Sequence, residues 1–401
     1  MRTTALLFAF GWAACRGAPP SDRLPPDSSG GESGLGETAE TDPETTLEPA
    51  TPTPLADATP GWFGQLAYSP IAGAWLVASQ SGGVVGRMMG DDGSPRSEVF
   101  AISPADQTAS WAPAVAYTPE TDAFLVVWVD YTAGWQAWGR FVGSDGVPRS
   151  EPFGLPIDQP ISSLGGDRTS ALAYDEGNAR FVWAWHGTHL ATIGLDGALG
   201  AVVDLVDASP HEHWGASVAV DPVAGEYCVA YDRRNDPSFA LTPVDAATLR
   251  LGTETTVGVT TTNVLVLRNT QEGRYLVVYD TGYVTGVKAM VLGSCDLGDV
   301  VAAFDVLPGI GTAAAAWNSR SDQYAVIAQN ADDDGNTWVV FDSTGARLAQ
   351  GDPYLADSQG NFAPEIAPNP QTGTFAAISS REYSQTRFVA RLGFQVASTG
   401  D

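Results

Sequence analysis

Four histidines are the residues of this chain best suited to metal chemistry. They are His186, His189, His211 and His213, and Glu212 lies between the last two. Neutral imidazoles that converge with a carboxylate suit zinc, copper or nickel. Their spacing matches no established metal signature, and histidines are common in exposed loops. The pattern leaves two interpretations, a metal site and a set of separate polar loop residues, and favours the second.

Carboxylates form a second group of possible metal ligands. Asp130, Asp232 and Asp280 each end a predicted strand, and Asp332, Asp333 and Asp334 form a run. Oxygens that converge on one point at about 2.4 Å bind calcium. Aspartates in separate loops are usually turn formers instead. Calcium is therefore a possible cofactor, beside zinc, and turn formation is the simpler role.

Large side chains recur at one position of a repeat that spans most of the chain. The residues at this position with a side chain able to hold a ligand are Trp62, Trp111, Arg168, Trp214 and Phe362. Aromatic rings can stack on sugars or anchor a peptide, since they offer much contact area at little entropic cost. Packing between neighbouring repeats is the alternative. These five residues are the candidate ligand-binding set.

Nucleophilic or acid–base catalysis finds little support. The chain has no Gly-x-Ser-x-Gly elbow, and its one lysine, Lys288, lies in a predicted strand. The segment ADDDGNTW is similar to the Asp-box of sialidase-like propellers at Asp333, Gly335, Thr337 and Trp338. That box is a structural turn, and no pair of acids can be nominated for glycoside hydrolysis. We therefore assign no catalytic residue.

An internal sequence repeat predicts the strands and turns that position these residues. An aromatic residue opens an apolar strand once per unit, at Trp75, Phe124, Phe181, Tyr227, Tyr275, Tyr324 and Phe375. The thirteen residues before each aromatic align without gaps as a short strand and a turn. A third strand, a turn that is often Asp-Gly, and a fourth strand follow. Four strands per period of about 49 residues predict an all-β fold, a seven-bladed β-propeller with four antiparallel strands per blade, over residues 61–401.

This architecture assigns the candidate residues to one end of the ring. Connections between blades, and loops between second and third strands, open on one face of a propeller. We therefore expect the histidines, the aspartates and the recurrent aromatics to share that face. Cys228 and Cys295 should both lie towards one end of blades 4 and 5; in an oxidising compartment they can pair, although two thiols are the favoured interpretation.

Small residues in the first strand fit the crowded centre of a propeller. Ala67, Ala116, Ala173, Ala219 and Ala367 occupy that position, and Leu267 and Ala315 continue the series. The last unit has no clear fourth strand. Because an open ring would expose two sheet edges, we expect the stretch near Leu55 to Gly61 to supply it.

The N-terminal sixty residues have a different character. An apolar run from Ala5 to Ala14 follows Arg2, which is the layout of a secretory signal over residues 1–14. Trp12-Ala13-Ala14-Cys15 resembles the bacterial lipobox, which implies lipidation of Cys15 and, with Arg16 next, an outer-membrane or cell-surface address. The alternative is a plain cleaved signal in which Cys15 is incidental. Residues 15–60 are rich in Pro, Ser, Thr, Gly and Glu and predict a disordered, acidic tether.

Charge excludes several classes of partner. The formal net charge is −27, from 47 acidic and 20 basic residues. Such a surface repels phosphate backbones, so we expect no nucleic-acid partner. With a single lysine, polybasic adhesion to lipid is also excluded, and membrane contact should come through the lipid anchor alone. The head is expected to be monomeric.

The whole pattern resembles the secreted bacterial β-propellers of unassigned function that ride on lipoprotein tethers. The resemblance covers about 340 residues and implies fold and cellular address, not activity. The leading hypothesis is a surface-displayed binding or scaffold protein that recognises a glycan, a peptide or a protein partner. The alternative is an extracellular hydrolase or metal-dependent enzyme that works at the histidine-bearing face.

Overall fold

The computed structural model describes residues 47–50 and 56–396 with internal gaps. The gaps are 109, 131, 133–135, 158–169, 186–188, 206–214, 234–237, 260, 262, 282–285, 308–312, 330–335, 355–360 and 382–384. The described residues form thirty β-strands and one short 3₁₀ helix, Glu176–Asn178. None of them forms a helix long and apolar enough to span a bilayer.

Two strands precede the first complete blade: β1 (Leu47–Pro49) and β2 (Ala56–Pro60). Blade 1 consists of β3 (Trp62–Ser69), β4 (Ala74–Ser81), β5 (Gly83–Gly90) and β6 (Phe100–Ala101). Blade 2 consists of β7 (Ser110–Thr118), β8 (Ala123–Asp130), β9 (Gln136–Gly143) and β10 (Phe153–Leu155). Blade 3 consists of β11 (Ser170–Asp175), β12 (Arg180–Trp185), β13 (His189–Gly194) and β14 (Leu199–Asp204).

Blade 4 consists of β15 (Ala216–Asp221), β16 (Glu226–Arg233), β17 (Ser238–Asp245) and β18 (Thr255–Val257). Blade 5 consists of β19 (Val264–Asn269), β20 (Arg274–Asp280), β21 (Val287–Leu292) and β22 (Val300–Leu307). Blade 6 consists of β23 (Ala313–Asn318), β24 (Gln323–Gln329), β25 (Asn336–Asp342) and β26 (Arg347–Tyr354). Blade 7 consists of β27 (Asn361–Asn369), β28 (Thr374–Arg381) and β29 (Gln385–Leu392), with β30 (Phe394–Val396) after it.

Each blade is a four-stranded antiparallel sheet, which confirms the predicted seven-bladed propeller. The first strands of adjacent blades contact one another around the whole ring, so they are the innermost strands. Turns such as Pro70–Gly73 and Asp91–Gly93 lie at one end of the blades, which we call the turn face. Asp130 and Gln136, which end β8 and begin β9, lie at the opposite end, which we call the loop face.

The N-terminal segment closes the ring. Strand β2 pairs with β29 and so provides the fourth strand of blade 7, as the sequence predicted. Part of the predicted tether, Ala56–Pro60, therefore belongs to the propeller. Strand β1 pairs with β30 beyond the end of β29, and the Ala50 amide donates to the Gly393 carbonyl over 3.0 Å. The chain therefore enters the propeller at the turn face of blade 7.

The core is divided among the seven boundaries between blades. Seven clusters of buried apolar residues each join two neighbouring blades. Alternate residues of an inner strand face opposite neighbours, because side chains alternate along a strand. Leu66 packs towards blade 7 and Ala67 towards blade 2. The position of Ala67 is held in blade 6 by Ala316, which pairs with Ala325, so the prediction of Ala315 was wrong by one residue.

A buried polar residue ends every inner strand at the turn face. The set is Ser69, Thr118, Asp175, Asp221, Asn269, Asn318 and Asn369, each no more than 3% exposed. In every blade except blade 2, which has Thr118, this buried side chain accepts a hydrogen bond from a backbone amide two or three residues later. Asp221, for example, accepts from the amides of Val223 and Ala224 over 3.0 Å. Such side chains form the turn by substituting for a backbone acceptor.

Each of these turns contains one left-handed residue, four positions after the buried polar residue. Its φ is between 46° and 78° in all seven blades. Glycine, which adopts positive φ without a steric penalty, fills the position at Gly73, Gly225, Gly273 and Gly373. Asp122, Ala179 and Asp322 fill it in the other three blades.

A disulfide bond joins blades 4 and 5. The Sγ atoms of Cys228 and Cys295 are 2.02 Å apart, and both residues are almost fully buried. Cys228 lies in β16, and Cys295 lies in the turn between β21 and β22. The expectation of two free thiols was therefore wrong, because the two positions face each other across the boundary between blades.

Candidate functional site

Three of the five candidate ligand-binding residues occupy equivalent backbone positions. Trp62 pairs with Gln80, Trp111 with Val129 and Phe362 with Ser380, each near the loop-face end of an inner strand. The structure describes these three residues through their backbone. Arg168 and Trp214 lie outside the described residues. The backbone equivalence predicted by the repeat is thus present in blades 1, 2 and 7.

A β-bulge follows each of these three positions. The register shifts between Trp62 and Gln65, between Trp111 and Ala114, and between Phe362 and Glu365. Proline stands inside the shift in two blades, at Pro113 and Pro364, and glycine in the third, at Gly64. Proline cannot donate to the ladder, and both residues favour bulges. The sequence therefore builds the same irregular strand entry three times on the loop face.

The structure describes one of the four candidate histidines. His189 begins β13, and its Nδ1 lies 2.8 Å from Oδ1 of Asp204 on the neighbouring strand. Its ring centroid is 5.4 Å from that of Trp185. His186, His211 and His213, with Glu212, lie outside the described residues. The structure thus gives His189 an aspartate and an aromatic neighbour.

The candidate calcium ligands are separate turn and strand-end residues where they are described. Asp130 accepts from the amide and hydroxyl of Thr132 over 2.9 and 2.6 Å. Asp232 accepts from the Gly215 amide over 3.0 Å, and Asp280 accepts from the Thr261 hydroxyl over the same distance.

Asp332, Asp333 and Asp334 lie outside the described part of the chain. Within that part, no three His, Cys, Asp or Glu side chains are grouped as a metal site. Of the Asp-box residues, Thr337 and Trp338 are described and belong to β25, where Trp338 packs against Gly351.

A groove opens at the loop-face end of blade 5. Its volume is about 580 Å³, which lies in the range of small-ligand sites. Its apolar wall consists of Val259, Val287, Val306 and Leu307. The polar residues that line it are Tyr279, Thr281, Lys288, Asp305 and Arg347.

The polar side of the groove is a row of side chains across three strands. Tyr279 pairs with Lys288, and Lys288 pairs with Asp305, so the three side chains share one face of the sheet. Lys288 Nζ lies 3.2 Å from Asp305 Oδ1, and these side chains are 43% and 84% exposed. Burial raises the pKa of Tyr279, while the Lys288 ammonium opposes that rise. Tyr279 therefore stays a neutral phenol at physiological pH.

A bulge in the outer strand shapes the groove. The register shifts between Val287 and Lys288, which leaves Val306 as an extra residue in β22. Arg347 of blade 6 donates from Nη2 to the Val306 carbonyl over 2.8 Å, and from Nη1 to Gln350 Oε1 over 2.7 Å. Bulges of this kind redirect neighbouring side chains. The guanidinium of Arg347 is thereby held beside the groove.

Sequence reasoning noted Lys288 as the one lysine but did not place it in a site. The residues that surround it come from three strands of blade 5, from the connection before that blade, and from blade 6. A single lysine in a chain of charge −27 was the available signal. The position of Arg347 could not be derived, since it depends on how blades 5 and 6 pack.

Comparison with known proteins gives no family for this chain. No protein-family model matches the sequence. No curated protein matches it significantly.

Proposed function

We propose that this protein is a non-enzymatic binding or scaffold protein, carried on an N-terminal lipid anchor, that presents its loop face to a glycan, peptide or protein partner. A propeller fold is compatible with binding and scaffold roles. The observation that carries the proposal is the pairing of β1 with β30 and of β2 with β29. This pairing attaches the N-terminal segment at the turn face, so the loop face is the end left free.

The disulfide supports export from the cytoplasm. Disulfides persist in oxidising compartments and are rare where thiols are kept reduced. The bond between Cys228 and Cys295 therefore agrees with the secretory signal and with the lipobox-like Cys15. Replacing Cys15 by Ser should release the protein from the membrane fraction, and mass spectrometry of the native protein should find acyl chains on Cys15.

The loop face supports binding through its recurrent positions. Trp62, Trp111 and Phe362 place three large aromatic residues at equivalent points of the inner strands. The turn face is occupied by buried polar residues that hold the turns, and exposed apolar residues on it, such as Ile71, Val147 and Val223, lie in the turns of different blades. The loop face is the better candidate for a shared binding surface.

The test is binding of the full-length chain, in detergent, to glycan and peptide arrays. Trp62→Ala and Trp111→Ala should weaken retention at least tenfold, and Ile71→Ala and Val223→Ala on the turn face should leave it unchanged. Thermal melts of all four variants separate loss of binding from loss of folding. Retention by the loop-face variants, or no retention by the native chain, would contradict the proposal. So would stoichiometric zinc that is lost on His186→Ala or His213→Ala.

A further inference from the structure

We infer that the blade 5 groove binds a small organic carboxylate, with Lys288 as the group that recognises the charge. This inference rests on the proposed function, because it places a ligand on the loop face. It adds a defined site and a ligand class to that face.

The charge of the groove favours an anionic ligand. The groove contains Lys288 and Arg347 against one acid, Asp305, so its lining has a net charge of +1. The whole chain has a net charge of −27. A cationic groove in an acidic surface selects an anion locally, while the surrounding field disfavours polyanions. A ligand with one carboxylate satisfies both conditions.

The ion pair between Lys288 and Asp305 also favours a carboxylate ligand. Asp305 shows that an exposed carboxylate can bring an oxygen to 3.2 Å from the ammonium nitrogen of Lys288. Ion pairs between exposed side chains contribute little to stability, so this pair is readily exchanged. A ligand carboxylate can therefore replace Asp305 at little cost, or share Lys288 with it.

The shape and the apolar lining of the groove favour a ligand that also has an apolar part. The groove joins the cationic end to an apolar side where Val259 is partly exposed, while Val287, Val306 and Leu307 are at least 95% buried and fix its shape. Arg347 is held by Val306 and Gln350, and Phe341 lies beneath it with 6.0 Å from guanidinium carbon to ring centroid. A preorganised charge loses little entropy on binding. The ligand should thus combine a carboxylate with an apolar part.

The single lysine provides a direct experiment. Full-length protein made with ¹³C-labelled lysine gives one lysine side-chain signal, that of Lys288. The probes are uronic acids, hydroxy acids and N-acetyl dipeptides, each beside its methyl ester as a neutral control. We expect the Lys288 signal to shift with the acids and not with the esters, and the class that shifts it most identifies the source of the carboxylate.

A matched pair of variants separates the groove from bulk charge. Lys288→Met removes the ammonium, and Arg250→Met removes an exposed positive charge of blade 4 outside the groove. By ligand-observed NMR, Lys288→Met should weaken carboxylate binding at least tenfold, and Arg250→Met should leave it within twofold. Equal loss in both variants, equal binding of acids and esters, or no acid that shifts Lys288 would overturn the inference. If carboxylates shift the Lys288 signal but the native chain is not retained on the arrays, the carboxylate site in the groove stands. The proposal that the whole loop face is a binding surface is then rejected.

Discussion

Tyr227 of blade 4 donates a hydrogen bond to Asp175 of blade 3, over 2.6 Å between Oη and Oδ2. Asp175 is the buried residue that ends the inner strand of its blade, and Tyr227 is the aromatic residue that marks the repeat. Burial and the Asp175 carboxylate together raise the pKa of Tyr227, so the phenol keeps its proton. The two positions most regular in the sequence therefore meet across the boundary between blades.

The residues at these two positions change together from one blade boundary to the next. Tyr275 donates to Asp221 over 3.2 Å, and Asn269 donates from Nδ2 to Oδ1 of Asp322 in the next blade over 2.8 Å. Where the buried residue is Ser69 or Thr118, the next blade carries Phe124 or Phe181, which have no hydroxyl. Asn318 instead donates to the carbonyls of Asn369 and Thr374, over 3.0 and 2.7 Å. Long polar residues thus receive a partner from the next blade.

This matching predicts coupling between Asp175 and Tyr227. Tyr227→Phe should cost about 1–3 kcal/mol, because Asp175 loses a buried partner. The double variant Asp175→Thr with Tyr227→Phe rebuilds the pair found as Thr118 and Phe181. Its destabilisation should be smaller than the sum of the single changes by at least about 0.5 kcal/mol. Chemical denaturation of the four proteins measures the coupling, and strict additivity would mean that the two side chains are independent.

The left-handed turn position predicts a stabilising substitution at Ala179. Its φ is 49°, in a position that four other blades give to glycine. Ala179→Gly should raise the free energy of unfolding by up to about 1 kcal/mol, because the strain of a positive φ is removed. Gly225→Ala is the matched control and should lower stability by a similar amount. A loss of stability in Ala179→Gly would show that the turn holds alanine without strain.

The disulfide should stabilise the propeller by restricting the unfolded chain. The cysteines are 67 residues apart, and a loop of that length corresponds to about 4 kcal/mol in the chain-entropy model. Reduction, or Cys228→Ala with Cys295→Ala, should lower the melting temperature by roughly 5–10 °C. Differential scanning calorimetry with and without reductant provides the measurement. Equal melts of the oxidised and reduced protein would show that the bond adds no stability.

The seam between blades 7 and 1 should respond to pH through Asp91. Tyr68 and Asn369 donate to its carboxylate over 3.2 and 3.0 Å, yet burial raises the pKa of Asp91. A raised pKa in the folded state means that ionisation of Asp91 costs stability; the cost begins above the pKa of the unfolded chain and is complete above the raised pKa. Asp91→Asn should therefore raise stability at pH 7 by up to about 1 kcal/mol, and the gain should vanish below about pH 4.

The geometry at this seam accommodates the amide. Tyr68 shares its one hydroxyl proton between Asp91 and Gln371, and the contact with Gln371 is the shorter, at 2.7 Å. With an asparagine at position 91, that proton can stay on Gln371 while the Tyr68 oxygen accepts from the asparagine amide. Thermal melts of both proteins from pH 4 to 7 test the prediction. A gain for the variant that is independent of pH, or a loss at pH 7, would assign the effect to something other than ionisation.

The architecture could be derived from the sequence because each blade repeats the same local chemistry. The spacing of six residues between Asp221 and Tyr227, or between Asn318 and Tyr324, encodes a turn of constant length. That constancy placed the strands, while the missing fourth strand of the last unit predicted the closing strand near Ala56. Ala316 lies eight residues before Tyr324, as Ala67 lies eight before Trp75, so the alignment carried its register; in a run of four alanines the residue type alone did not, and the neighbouring alanine was chosen.

Contacts between blades could not be derived in the same way. The pairing of Cys228 with Cys295, and the approach of Arg347 to the groove beside Lys288, depend on the angle and rise between neighbouring sheets. Neither quantity is encoded by a period along the chain. Sequence therefore located the loop face, while the groove on it required the packed ring.

The chain enters the propeller at the turn face. We propose that the lipid anchor therefore holds the loop face away from the membrane. Thr121 and Gln136 are exposed residues at opposite ends of blade 2, separated by strand β8 of eight residues, which is about 26 Å. Thr121→Cys and Gln136→Cys each give one reactive thiol, since Cys228 and Cys295 are bonded and Cys15 is expected to carry lipid.

The measurement is energy transfer from a dye on each thiol to an acceptor in a bilayer reconstituted with the full-length chain and its proposed lipid anchor. We expect stronger transfer from the Thr121→Cys variant than from the Gln136→Cys variant. Equal transfer, or stronger transfer from the Gln136→Cys variant, would contradict it.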